Sequence, residues 1–135
     1  MKKLVWSFVI LLSGCATIND AIDAFLMKYD NNEYKLITEI RTQSSFAKDR
    51  CNDSVESKRV AKELLYTSKF LMNYAENLPH NKPMQQATVD LYEMVKGLSD
   101  KYDAGPVSPV FCKIKYKNIE DSASTMQKSE GNKPK

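Results

Sequence analysis

The chain has 135 residues, of which 42% are hydrophobic and 27% charged, with a formal net charge of +3. That length holds one compact domain and not two, and so small a charge, part of it from Lys2 and Lys3, gives no reason to expect nucleic acid as a partner. One histidine and three cysteines supply a tetrahedral metal centre poorly, so no metal is expected.

The first residues, Met1-Lys2-Lys3, put positive charge on a short polar start. From Leu4 to Leu12 the chain is apolar apart from Ser7, far short of the roughly 20 residues that cross a bilayer core as a helix. A charged start, a short apolar middle and a small-residue exit form the secretory signal pattern. The exit, Leu12-Ser13-Gly14-Cys15, resembles the lipobox of bacterial lipoproteins at all of its positions. The resemblance implies a diacylglyceryl group on the thiol of Cys15, cleavage between Gly14 and Cys15, and acylation of the new amino terminus. Each buried methylene contributes about 0.8 kcal/mol, so two or three acyl chains hold firmly where one holds weakly. Ala16 is not the aspartate that retains enterobacterial lipoproteins in the inner membrane. The resemblance therefore implies the inner leaflet of the outer membrane, with the protein domain in the periplasm. The expected layout is a signal peptide at 1–14, a lipidated tether at 15–17, a helical domain at 18–126 and a disordered tail at 127–135.

With Cys15 assigned to lipid, Cys51 and Cys112 remain as a pair in an oxidising compartment, where a disulfide is expected. Closing a loop of roughly 60 residues stabilises the fold by about 4 kcal/mol on the chain-entropy model.

Within the domain, Ile18, Ile22, Phe25, Leu26 and Tyr29, then Leu36, Ile37, Ile40 and Ala47, recur at helical spacing. Asp30-Asn31-Asn32 is turn-prone, so one long helix or two shorter ones fit. Cys51 continues the stripe of Ile37, Ile40 and Ala47, which predicts a buried sulfur. Asp53, with Glu56 three residues on, resembles a capping box and starts a helix running to about Asn77. Its stripe is Val60, Ala61, Leu64, Leu65, Ser68, Leu71, Met72 and Ala75. A turn from Asn77 to Pro83 precedes a third helix along Met84, Thr88, Leu91, Val95, Leu98 and Tyr102. Gly97 inside it points to close packing. Gly105-Pro106 stops that helix, and Ser108-Pro109 supplies a cap and a first-turn proline for another. Cys112, Tyr116, Ile119, Ala123 and Met126 carry on at helical spacing. Val110, Cys112, Ile114 and Tyr116 also alternate as a strand would. A lone strand has no partner here, so helix is the preferred reading. The sum is an all-α, four-helix bundle stapled by Cys51–Cys112.

No residue pattern announces catalysis, and an enzyme is not expected. His80 sits in a turn between Pro79 and Asn81, away from any nucleophile arrangement. The glycines build no phosphate loop. No small-molecule substrate or cofactor is expected beyond the covalent lipid on Cys15. Two features suit binding. Lys113, Lys115 and Lys117, with Lys28 and Lys35, could meet anionic headgroups or an acidic partner. Tyr66, Phe70 and Tyr74 recur every four residues on the second helix, away from Leu64, Leu71 and Ala75. They form either a second buried face or a groove for a partner helix held by spaced apolar anchors.

In layout the chain is similar to the pilotins of secretion systems. The likeness lies in the lipobox, the helical chain, and Cys51 and Cys112 near the end of the first and the start of the last helix. It implies a lipid-anchored adaptor that grips an envelope protein, with Tyr66, Phe70 and Tyr74 as the gripping surface. The alternative is a phage or mobile-element lipoprotein, acting in lysis as outer-membrane spanin subunits do, or in superinfection exclusion. Spanins of this kind are commonly shorter and richer in proline.

Overall fold

A computed structural model describes Ala21, Ile22 and residues 25–135. The lipobox, Cys15 and the tether at 15–17 lie outside the described residues. Four long helices follow one another: α1 (Asn31–Lys48), α2 (Ser54–Glu76), α3 (Lys82–Ala104) and α4 (Pro109–Gly131). Short connections turn each helix back along its predecessor. The helices pack in a ring, α1 on α2, α2 on α3, α3 on α4 and α4 back on α1. This is a small four-helix bundle.

Three of the four helices begin where a side chain satisfies free amide donors of the first turn, whereas α3 has no such cap and starts with Pro83 in its first turn. Asp30 resolves the ambiguity near its position: residues 27–30 leave the helical path, and its carboxylate accepts from the backbone N–H of Asn32 (2.9 Å) and Glu33 (2.8 Å). Asp53 caps α2 in the same way, accepting from Val55 and Glu56. The box is half made, because Asp53 gives its own backbone N–H to the Arg50 carbonyl and the Glu56 carboxylate turns to Arg50 and Arg59. Ser108 caps α4 through the Phe111 N–H, with Pro109 in the first turn. At the end of α3, Gly105 has φ +150°, a backbone conformation that suits glycine and ends the helix.

The core is assembled from the helical stripes. Ile37, Ile40, Ala61, Leu64, Leu71, Leu91, Val95, Leu98, Tyr116, Ile119 and Ala123 are fully or almost fully buried. Each large aliphatic side chain removed from water in this way contributes about 1.5–3 kcal/mol. The Cys51–Cys112 disulfide joins the end of α1 to the start of α4 across 61 residues, with Cα atoms 5.7 Å apart. Beside it, the Tyr102 hydroxyl donates to Ser57 Oγ (2.8 Å), and the fully buried Tyr116 hydroxyl donates to the Ser57 carbonyl. The hydroxyl and the carbonyl of the buried Ser57 are thereby both paired.

The alternation through 110–116 resolves into two helical faces. Cys112 and Tyr116, four apart, point inward, whereas Val110 (69% exposed) and Ile114 (54%), also four apart, point outward.

Three expectations are corrected. Residues 127–135 are not a disordered tail, because α4 runs to Gly131 and Glu130 and Lys133 are buried. Gln127 donates to Thr38 Oγ1 and accepts from Arg41 (both 2.7 Å), and the Pro134 carbonyl accepts from the Tyr29 N–H (2.9 Å). These contacts with α1 and with Tyr29 just before it supply what the polar composition of the segment lacks. Gly97 does not mark close packing: it is exposed, and a Cβ built there meets nothing within 4 Å. Ile22, Phe25 and Leu26 continue the apolar stripe in sequence but stay exposed, because the break at Asp30 takes them out of line with α1.

Candidate functional site

An open groove of about 740 Å³ runs along α2 where it faces α1. Glu39 and Gln43 of α1 form one wall, and Val55, Lys58, Arg59, Lys62, Glu63, Tyr66 and Thr67 of α2 form the other. The antiparallel return of α2 along α1 creates it, with Leu64 and Leu71 held in the core on the opposite side of α2. Val55 (79% exposed) and Tyr66 (74%) bring apolar surface to its wall.

The three aromatic residues singled out on α2 separate in role. Tyr66 and Phe70 (49% exposed) face outward, so they are not a second buried face. Tyr74 is half-buried, and its hydroxyl donates to the Asp30 carboxylate (3.1 Å) and accepts from Asn32 Nδ2 (3.2 Å). It braces the start of α1, so the outward aromatic surface reduces to Tyr66 and Phe70. Phe46 (63% exposed) and Val55 add outward apolar area that sequence reading passed over. The signal was present, since neither falls on the stripe of its own helix.

Charge along the groove is organised into pairs. Arg59 bonds Glu56 through Nε (2.8 Å) and Nη2 (2.7 Å) and also contacts Glu63. The hydrogen bond from Arg59 holds the Glu56 carboxyl below its ordinary value. Lys62 bonds Asp103 of α3, with Lys58 3.5 Å from the same carboxylate, and the Lys62 hydrogen bond likewise lowers Asp103. Exposed pairs such as these add little to stability, because solvent screens them and holding both side chains in place costs entropy. They can exchange partners with an incoming charged segment at small cost. Gln43 donates to Glu39 Oε1 (3.1 Å), while its own Oε1 is shielded and has no hydrogen-bond partner.

The lysines do not gather into one patch. Lys113, Lys115 and Lys117 lie by the disulfide, with Lys117 bonded to Asp121 and Lys115 over the Phe111 ring. Lys35 lies at the start of α1, the opposite end of the bundle, with Lys28 just before that helix. His80 occupies the α2–α3 turn with φ +54°. Among the described residues, no group of three or more His, Cys, Asp or Glu side chains is placed to hold a metal ion, and no helix is long and apolar enough to cross a membrane.

Compared with protein-family models, curated proteins and solved structures, the chain matches none of them.

Proposed function

We propose that the chain is a lipid-anchored helical protein-binding module, held by Cys15 in the outer membrane with its bundle in the periplasm, and that it works as an adaptor for an envelope protein. The anchor rests on the lipobox at Leu12-Ser13-Gly14-Cys15. The single observation that carries the binding role is the exposure of Tyr66 and Phe70 on a helix whose opposite face is core, with Tyr66 in the groove between α1 and α2. Exposed aromatic side chains cost little conformational entropy to dock and dominate interface energetics. Spaced four apart, they suit the apolar stripe of a partner helix.

The test is capture from the crosslinked, intact envelope with wild-type and Phe70→Glu chains. One stoichiometric envelope protein is expected with the wild type and not with Phe70→Glu, at unchanged helicity. Equal recovery with both chains contradicts the assignment of the face.

A further inference from the structure

At the end of the bundle away from the disulfide, four polar side chains are almost sealed from water: Glu33 and Glu130 (both 0% exposed), Asn81 (3%) and Lys133 (7%). They come from α1, α4, the α2–α3 turn and the last residues of the chain. Lys133 Nζ lies 2.9 Å from Asn81 Oδ1 and 3.2 Å from Glu33 Oε2, and also pairs with Glu130 Oε2 as an ion contact short of a directed hydrogen bond. Asn81 Nδ2 donates to Glu33 Oε1 (2.8 Å), and the Asp30 N–H donates to Glu130 Oε1 (2.7 Å).

The cluster ties the start of α1 and the residues just before it to the carboxyl-terminal segment. Tyr29 and Asp30, where the amino-terminal segment leaves the bundle, bond Pro134 and Glu130, and Lys135 stands over the Tyr29 ring. The charges do not balance as they stand, since two carboxylates share one ammonium. Isolated buried charge is costly, and one proton on the carboxylate pair removes it. Burial and the neighbouring Glu130 push the Glu33 carboxyl up to about 7, against the opposing pull of Asn81 and Lys133. The other charged group in this network is Asp30, whose carboxylate is occupied by the α1 cap and by Tyr74 of α2. His80 and Lys82 flank Asn81 in sequence and have contacts of their own.

We propose that this cluster makes the carboxyl-terminal segment a proton-sensitive clasp, which closes over Tyr29 and Asp30 when Glu33 holds a proton and loosens when Glu33 releases it. The clasp sets how much of the amino-terminal segment is fixed to the bundle, whether or not Cys15 is lipidated.

The test is hydrogen exchange at the Tyr29 and Asp30 amides of the full chain at pH 5.5 and pH 8, corrected for intrinsic rate, with Leu64 and Leu91 amides as the reference for global unfolding. One unit of pKa difference is a factor of about ten, so protection at Tyr29 and Asp30 should be about tenfold or more weaker at pH 8. In Glu33→Gln the neutral side chain should keep protection equal at both pH values. In Lys133→Met protection should be lost at pH 8 while the reference amides stay slow. Equal wild-type protection at both pH values, or a pH effect that persists in Glu33→Gln, overturns the proposal.

Discussion

Glu33 combines full burial with a carboxyl raised to about 7 by desolvation and by Glu130, and this fixes the sign of its linkage. The folded chain keeps the proton that the unfolded chain releases near 4.5, so the contribution of Glu33 is complete below 4.5 and is lost as pH rises through about 7. Glu56, Asp103 and Glu120 have the opposite sign: cationic partners lower their carboxyls, and their contributions fade as pH falls below the ordinary carboxylate range. Asp103 is exposed and Glu56 and Glu120 are half-buried at the surface, so solvent screens all of them in part. The melting temperature is therefore expected to be higher near pH 5 than at pH 8. Glu33→Gln should flatten that difference. Thermal melts followed by circular dichroism check this, and a Glu33→Gln chain with the wild-type slope contradicts it.

The elements differ in how openly the sequence declares them. Helices α2, α3 and α4 carry apolar stripes that bury almost residue for residue, and Asp53, Asn77, Gly105 and Ser108 mark their ends through local chemistry. The break at Asp30 was visible as a possibility, but its choice depends on contacts from Tyr74 and Glu130, which are 44 and 100 residues distant in sequence. The carboxyl-terminal segment was misread for the same reason. Glu130 and Lys133 look solvated in a polar stretch, and only Glu33 and Asn81 from other elements make their burial possible. Tyr74 shares the spacing of Tyr66 and Phe70 yet is diverted to Asp30 by a hydroxyl that the spacing rule ignores. The corrected reading carries a prediction for α4. Deleting residues 128–135, which a disordered tail would tolerate, removes Glu130 and Lys133 together and leaves the buried Glu33 carboxyl with Asn81 but without its cation. Breaking such an arrangement typically costs about 3–5 kcal/mol. Urea unfolding of the truncated chain should show that loss, and an unchanged midpoint would return the segment to the status of a tail.

On the scale of the molecule, the ring of helices is secured differently at its two ends. A disulfide and the Ser57–Tyr102–Tyr116 hydrogen bonds hold one end, and the charged cluster holds the other, where the amino-terminal segment leaves. The groove along α2 lies on the flank of the bundle between those ends. A flank groove is open to a helix approaching beside the protein. The most direct measurement is site-specific photocrosslinking in the living envelope, with the photoreactive residue placed in turn at Tyr66, Phe70 and Asp90, an exposed position on α3. A single crosslinked band of the same partner at positions 66 and 70, absent at 90, is the predicted result. Crosslinks that are diffuse, or equally strong at Asp90, would contradict a dedicated binding face on α2.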